Sequence, residues 1–140
     1  MPVEHRRIIV ETPGRGTVRI DERIARELQA SGLSTGLCHV FLQHTSASLV
    51  LTENADPDVR TDLETIYARA APDGDPAYRH DAEGPDDMAA HARAALGTAA
   101  ICIPFADRRL MLGTWQGLFV WEHRHRGHRR HLVLTLIGEP

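Results

Sequence analysis

Four short apolar runs follow one another in the last third of the chain, over residues 99–105, 109–113, 117–123 and 131–138. Runs of this length, bounded by Gly or by polar residues, are typical of β-strands. Neighbouring strands joined by short turns pair antiparallel, because a parallel pair needs a long crossover connection. The C-terminal part of the chain therefore predicts an antiparallel sheet.

The rest of the chain mixes strands with helices. Strands are predicted over 5–12, 16–20, 36–45 and 47–53, and helices over 21–32, 56–72 and 86–97. The helix limits carry their own signals: Asp21, Asp56 and Asp86 at the N-caps, Pro57 at a first helical position, and Gly32 and Gly97 after the last turns. The chain is long enough for one hydrophobic core. The sequence predicts a single α+β domain over residues 1–140, with a largely antiparallel or mixed sheet and about three helices.

Composition excludes several classes of protein. The net charge is -3, whereas a general nucleic-acid binder is normally basic, so no nucleic-acid partner is expected. No apolar run reaches the roughly 20 residues that cross a bilayer, and the N-terminus lacks the apolar core of a secretory signal. We expect a cytoplasmic protein with no membrane partner. Cys38 and Cys102 form no CxxC motif and are predicted to be reduced, buried small hydrophobes.

Three polar residues each end an apolar row. Side chains two apart in a strand share a face, so His44, Glu53 and Glu122 continue the apolar faces of the strands over 36–45, 47–53 and 117–123. A carboxylate that continues a buried face is costly without a partner. These residues predict a polar pocket at one edge of the sheet.

Histidines provide the second candidate feature. His80 lies in the Pro- and Gly-rich loop over 72–85, and His91 lies on the semi-apolar side of the predicted helix over 86–97. Together with His44 they would form a three-histidine divalent metal site with an open position, as in catalytic zinc centres. No short motif joins them, so separately hydrogen-bonded histidines are the alternative.

The segment "EHRHRGHRRH" over 122–131 is locally basic on an acidic chain. Arg124, Arg129 and Arg130 suit the capture of a phosphate or diphosphate group, because guanidinium forks match its geometry. A solvated turn is the alternative. RNA is weakly supported, because aromatic residues make up only 5% of the chain. Asp62 lies at the margin of a helix stripe, where a surface charge is the simpler interpretation, and Gln116 lies in a Gly-flanked turn.

Three long segments resemble one family. "LQHTSASLVLTENADPDVRTDLE", "YRHDAEGPDDMAAHARAALGT" and "RLMLGTWQGLFVWEHR…RR" are similar to the YjbQ family, named for secondary thiamine-phosphate synthase activity, and the resemblance runs from about residue 3 to 139. It implies a compact α+β domain, a homotrimer, a divalent metal in some members, and weak joining of a hydroxymethylpyrimidine diphosphate to a thiazole phosphate with release of pyrophosphate. The expected substrate is therefore a small phosphate-bearing molecule.

The resemblance places the family's polar motif residues on particular positions, and with the residue chemistry it gives three candidate groups. The candidate metal ligands are His44, His80 and His91; the candidate catalytic residues are Glu53, Asp62, Gln116 and Glu122; the candidate ligand-holding residues are Arg124, Arg129, Arg130, Thr45 and Ser46. Neutral histidines favour Zn²⁺, whereas diphosphate chemistry usually uses Mg²⁺ on oxygen ligands. Metal-dependent hydrolysis of a small phosphate- or amide-bearing molecule, and a non-catalytic trimeric binding module, remain alternatives.

Two positions depart from the family pattern. The turn after "IPF" usually carries a Gly before its Arg, but here it reads Asp107-Arg108-Arg109. If that turn needs a positive φ, Arg108 is strained. A Pro that often precedes the "AH" pair is replaced by the Ala89-Ala90 pair.

Overall fold

The computed structural model describes residues 1–140 and contains eight strands and three helices. In chain order these are β1 (Val3–Glu11), β2 (Gly16–Arg19), α1 (Asp21–Ser31), β3 (Thr35–Leu42), β4 (Ala47–Glu53), α2 (Pro57–Ala70), α3 (Asp87–Leu96), β5 (Ala100–Ala106), β6 (Arg109–Leu110), β7 (Gln116–Glu122) and β8 (Arg129–Glu139). The α+β class with three helices is confirmed. The predicted 109–113 strand is shorter than expected, since only Arg109–Leu110 pairs.

The strands form two sheets in place of one. Five strands lie in the order β1-β8-β3-β5-β6 and three in the order β2-β7-β4, and every pairing is antiparallel. The inner rows of the two sheets meet in one apolar core, where Leu118, Val120, Leu132 and Leu134 have no exposed surface. The rows predicted from alternation therefore do face inward, but from two layers.

Helices α2 and α3 cover the outer face of the three-stranded sheet. Tyr67 of α2 stacks on Trp121 with ring centroids 4.4 Å apart, and the Arg60 guanidinium lies 4.8 Å above the Phe119 ring. The predicted buried stripe of α2 is only half-buried, and Ile66 is 54% exposed. The reason is that α2 lies at the surface of the molecule and contacts the sheet with long, partly polar side chains.

The outer face of the five-stranded sheet bears no covering element. Leu37 and Phe41 of β3 are 47% and 43% exposed, and their register partners on β5 are Pro104 and Ala100. Cys102 points to the same side and is exposed, which contradicts its predicted burial. Side-chain alternation explains the error, because Ile103 takes the inward position of β5. The protein thus presents an apolar patch on this face.

The predicted limits of two helices are confirmed at particular atoms. Asp56 caps α2 by accepting a hydrogen bond from the Asp58 N–H at 2.9 Å, and Pro57 is the first helical residue. Gly32 ends α1 with φ 77°, a left-handed conformation that glycine adopts without strain.

Asp21 is not the N-cap of α1. Ile20 holds that position, and the buried Asp21 carboxylate instead accepts hydrogen bonds from the Leu118 N–H at 3.1 Å and the Arg19 Nε at 2.9 Å. The Asp21 carboxylate oxygen, which the sequence pattern predicted to cap α1, therefore accepts from the distant Leu118 N–H instead.

The turn between β5 and β6 uses left-handed backbone at two residues other than glycine. Asp107 has φ 51° and Arg108 has φ 63°. Arg108 bears the strain expected from its departure from the family pattern, about 1–2 kcal/mol relative to glycine. The Arg108 N–H donates to the Ser34 carbonyl at 3.0 Å, and the Gln29 amide donates to the Arg108 carbonyl at 2.7 Å, so the surrounding structure holds the turn.

No helix in the structure combines the length and apolar character that crossing a bilayer requires.

Candidate metal centre and its surroundings

Two imidazoles and one carboxylate converge at the start of α3. The His80 Nε2 lies 2.6 Å and the His91 Nε2 lies 3.1 Å from the same oxygen, Oδ2 of Asp87. Asp87 and His91 lie one turn apart on one face of the helix, and the loop before the helix brings in His80. The three potential ligand atoms lie within 4.8 Å of one another. We call His80, Asp87 and His91 the His-Asp-His cluster.

The hydrogen bonding of His91 determines which of its nitrogens is free. Its Nδ1 lies 2.9 Å from the Thr45 carbonyl oxygen, which only accepts, so Nδ1 carries a proton. In the neutral ring the Nε2 lone pair then faces the Asp87 carboxylate, and two acceptors meet at 3.1 Å. A proton or a metal ion must therefore lie between the two atoms.

The surroundings of the Asp87 carboxyl group stabilise its ionised form. It is 2% exposed, and its second oxygen accepts a hydrogen bond from Nη1 of Arg124 at 2.7 Å. Burial opposes ionisation, but the hydrogen bond from His80 and the charges of His91 and Arg124 outweigh it and hold the pKa of Asp87 below its usual value.

Arg124 is committed to carboxylates on this side of the site. Its Nε donates to Asp86 at 3.0 Å and its Nη2 donates to the Glu83 carbonyl at 3.0 Å. Asp86 also accepts from the His125 N–H, and although burial opposes its ionisation, these donors lower its pKa to about 2. The Asp86 side chain therefore does not cap α3 as predicted. Arg124 orients Asp87 and presents no free fork to a phosphate.

His44 is not part of the His-Asp-His cluster. Its Nε2 accepts the His131 N–H at 2.7 Å, its ring stacks on the His131 ring at 5.7 Å, and Arg130 approaches its Nδ1 at 3.3 Å. Burial, reinforced by the Arg130 charge, lowers the pKa of His44 and so favours the neutral ring. The turn after β3 directs the His44 ring towards β8. Asp87 therefore takes the place of His44 beside His80 and His91.

Glu122 and Arg130 form a buried ion pair between the sheets. They are 0% and 3% exposed, and two guanidinium nitrogens of Arg130 donate to the two carboxylate oxygens. The Thr12 hydroxyl donates at 2.7 Å, and the Arg124 N–H donates at 3.1 Å. Burial raises the cost of the charge, but these donors outweigh it and lower the pKa of Glu122. Neither residue has the exposed surface with which to touch a substrate.

Thr45 and Ser46 contribute through the turn between β3 and β4. The Thr45 carbonyl fixes the His91 ring, and the Ser46 hydroxyl accepts a hydrogen bond from Arg130 Nη2 at 3.0 Å. Both residues thus hold elements of the site in place. Arg129 differs from the other two arginines, because its side chain is 67% exposed and lies 3.4 Å from Glu11.

Three residues that were predicted to be catalytic lie away from the His-Asp-His cluster. Glu53 and Gln116 are register partners at one end of the β4–β7 pair, and Ala47 and Glu122 are partners at the other end. Six residues separate the two ends, so they lie about 20 Å apart. The Glu53 carboxylate accepts the Asp56 N–H at 2.9 Å, and the Gln116 amide oxygen accepts the Gly113 N–H at 2.8 Å. These contacts stabilise the start of α2 and a turn.

Asp62 is exposed on α2. It forms no hydrogen bond or ion pair, which is the arrangement of an ordinary surface charge on a helix. The structure therefore does not bring Asp62, Glu53 or Gln116 to the His-Asp-His cluster.

The cluster lies between two cavities of different chemistry. His80 lines a cavity of about 360 Å³ together with Asp75, Tyr78 and Asp81. His91 lines the other, of about 290 Å³. Apart from His91, that cavity is bounded by His44, Thr45, Ala47, Ala94, Ala95 and Ala99. We call it the alanine pocket.

Asp87 was not among the ligands predicted from the sequence. The resemblance placed a polar motif residue of the family on Asp87, and its early position in the helix suggested a favourable interaction with the helix dipole. The spacing of four residues to His91 is the signal that could have identified it, because that spacing places both side chains on one helix face.

Comparisons with known proteins agree over nearly the whole chain. The family model described as "UPF0047 protein YjbQ-like" matches residues 6–139. The chain is 48% identical to UPF0047 protein sll1880 of Synechocystis, covering 94% of this chain and 90% of that protein, and 44% identical to UPF0047 protein YjbQ of Salmonella typhimurium, covering 96% and 97%. The crystal structure of the conserved hypothetical protein TT1486 from Thermus thermophilus superposes with a TM-score of 0.85 at 32% identity, covering 94% of this chain and 99% of that one. This chain belongs to the UPF0047 YjbQ-like family.

Proposed function

We propose that the protein is a metal-dependent enzyme whose His-Asp-His cluster holds a divalent ion. The observation that carries this proposal is the convergence of one ligand atom each from His80, Asp87 and His91 within 4.8 Å of one another, with the Thr45 carbonyl holding the His91 Nδ1 proton so that Nε2 is free to bind an ion. Two imidazoles and one carboxylate suit Zn²⁺ or a similar first-row ion, whereas Mg²⁺ prefers oxygen ligands. A bound ion with open positions would activate water or polarise a phosphoryl or carbonyl oxygen.

The neighbouring residues support this assignment. Arg124 holds the second oxygen of Asp87, and the Thr45 carbonyl holds the second nitrogen of His91. Such partners fix the orientation and protonation of metal ligands, and their loss typically weakens metal binding by about 10- to 100-fold. In this proposal Arg124 is a positioning residue.

The reaction that the resemblance implies joins a hydroxymethylpyrimidine diphosphate to a thiazole phosphate and releases pyrophosphate. Two cavities, one lined by His80 and one by His91, suit a reaction between two molecules at the cluster. The leaving diphosphate would need cationic partners. Arg129 is the exposed candidate among the three arginines, because Arg124 and Arg130 are engaged with carboxylates.

Metal-dependent hydrolysis of a small phosphate- or amide-bearing molecule is the second candidate. The ligand set favours it, because nitrogen and carboxylate ligands with open positions are those of zinc hydrolases. The acidic residues Asp75 and Asp81 in the His80 cavity also oppose the binding of a diphosphate there.

Metal analysis tests the proposed centre. After loading with Zn²⁺ and gel filtration, the wild-type protein should retain about one ion per chain, and Asp87→Ala and His91→Ala should bind the ion at least about 100-fold more weakly, because each removes a direct ligand. His5→Ala, an exposed histidine on β1, is the matched control and should bind as the wild type does. A wild-type protein without stoichiometric metal, or equal binding in His91→Ala, would contradict the proposal.

The same variants distinguish the two reactions. Thiamine-phosphate formation from the two precursors, and hydrolysis of a phosphate monoester and an amide, should be measured for wild type, His91→Ala and His44→Ala. Loss of only one activity in His91→Ala identifies the reaction that the centre supports. Equal rates in His44→Ala would remove His44 from catalysis. Metal binding without any turnover would favour the non-catalytic binding module.

We propose that the apolar patch on the five-stranded sheet is where copies of the chain meet in the homotrimer that the resemblance implies. Leu37 and Phe41 are large apolar side chains with nearly half their surface exposed, and they lie beside the small residues Ala100 and Pro104. Contiguous exposed apolar patches of this kind mark association surfaces.

Phe41→Glu should shift the protein from trimer to monomer in sedimentation velocity, because it places a charge in the contact. Ile66→Glu is the matched control, since Ile66 is at least as exposed as Phe41 but lies on α2, on the other side of the molecule. A wild-type monomer at micromolar concentration would refute the proposed assembly, and a trimeric Phe41→Glu would refute this surface.

A further inference from the structure

The alanine pocket lies directly beside the His-Asp-His cluster. Ala94 and Ala95 follow His91 by three and four residues on α3, so they share its helix face, and Ala99 follows on the segment leading into β5. Ala47 at the start of β4 completes the floor. A molecule seated on these methyl groups would have one end at the His91 ring.

We propose that the alanine pocket is the subsite that holds a compact, uncharged ring of the molecule on which the protein acts. This inference rests on the proposed metal centre for its position, and it adds the chemical class of the group bound next to that centre. The cavity of about 290 Å³ is large enough for a single ring and too small for an extended one.

The floor of the pocket, away from its His91 edge, offers no partner to a charged group. Four of its seven residues are alanines, and none carries a carboxylate, guanidinium or ammonium group. Burial lowers the pKa of His44, and apart from His91 at the edge that faces the cluster, the Thr45 hydroxyl is the remaining polar group of the rim. A charged group placed on the alanine floor would lose hydration without gaining a partner there, whereas a flat ring would gain contact with the methyl groups.

The second cavity differs from the alanine pocket in the charge of its lining. Asp75, Asp81 and Tyr78 line the His80 side, so that side offers carboxylates and a phenol. Selectivity for an apolar ring is therefore expected only on the His91 side. Ala95 is the best position for a test, because its side chain is exposed and a longer apolar side chain there would fill the pocket without disturbing the core.

Binding of a simple ring tests the proposal without any metal. Benzyl alcohol should be titrated into ¹⁵N-labelled, EDTA-treated protein, and the amides of Thr45, Ala95 and Ala99 should shift saturably with a Kd on the order of millimolar. Ala95→Leu should weaken binding by at least about 10-fold. Ala68→Leu, an exposed alanine of α2, should bind as the wild type does. The absence of saturable shifts at these amides, or equal affinity in Ala95→Leu, would overturn the proposal.

A second titration separates this inference from the proposed metal centre. With zinc-loaded protein, benzohydroxamate should bind about 10-fold more tightly than acetohydroxamate, and Ala95→Leu should abolish that difference while leaving zinc content and acetohydroxamate affinity unchanged. Equal affinity for the two hydroxamates would overturn the ring subsite alone. Benzyl alcohol binding in a protein that takes up no zinc would support the ring subsite and refute the metal centre.

Discussion

Glu122→Ala should destabilise the protein by about 3–5 kcal/mol, because it leaves the buried Arg130 guanidinium without its counter-charge. Arg130 is 3% exposed and lies between the two sheets, where water cannot replace the lost carboxylate. The Thr12 hydroxyl and the Arg124 N–H would also lose their acceptor. The free energy of unfolding in urea, followed by circular dichroism, measures the effect.

The control is an ion pair of the same type at the surface. Glu11→Ala removes the partner of Arg129, whose side chain is 67% exposed, and should change stability by less than about 0.5 kcal/mol. The double variant Glu122→Leu/Arg130→Met should be more stable than Glu122→Ala, because it removes both charges together. A loss below about 1 kcal/mol in Glu122→Ala would show that the pair is not isolated from water.

Stability should fall by about 3 kcal/mol between pH 7 and pH 4 because of His123. Its ring has no exposed surface, the Nδ1 has no partner, and the Nε2 contacts the Ser48 hydroxyl at 2.9 Å. Burial, with the nearby charge of Arg93, lowers the pKa of His123 to about 3 from an ordinary value of 6.5. Below pH 6.5 the unfolded chain therefore binds a proton that the folded chain does not, and stability decreases by up to about 1.4 kcal/mol per pH unit.

Urea unfolding at several values between about pH 7 and pH 5.5 tests this effect above the range in which carboxylates are protonated. His123→Gln should flatten the dependence in that window, and the exposed His5→Gln should leave it unchanged. A smaller slope should persist, because burial also lowers the pKa of His44. Stability that is independent of pH in the wild type would mean that His123 is protonated in the folded protein.

The loss of folding stability at the most acidic pH values has a separate cause. Hydrogen bonds from Arg15 lower the pKa of Asp73 against the opposing effect of burial, and Arg130 does the same for Glu122. For groups with depressed pKa values, the stabilisation is present above the unfolded pKa and is lost as the pH falls through the folded pKa. The carboxylates therefore reduce stability below about pH 5, whereas His123 reduces it from about pH 6.5 down to about pH 3, and the two effects overlap in between.

The sequence was sufficient for the elements and for most of their limits. Side-chain alternation identified the strands and their buried rows, and local chemistry identified the cap at Asp56 and the helix end at Gly32. These features depend on neighbours within a few residues, so the pattern carries the information. The candidate set also included His80 and His91, which the fold does bring together.

Only the tertiary structure decided which polar residues meet. Alternation showed that Glu122 and His44 end apolar rows, but it could not show that one faces Arg130 on the opposite sheet and the other faces β8. Alternation placed Glu53 at the end of the strand over 47–53, but it could not show that this end lies about 20 Å from the end that pairs with Glu122. Periodicity determines the side of an element on which a residue lies. The residue that it meets on another element depends on how the two sheets and the loop before α3 pack together. That packing places Asp87, and not His44, between His80 and His91.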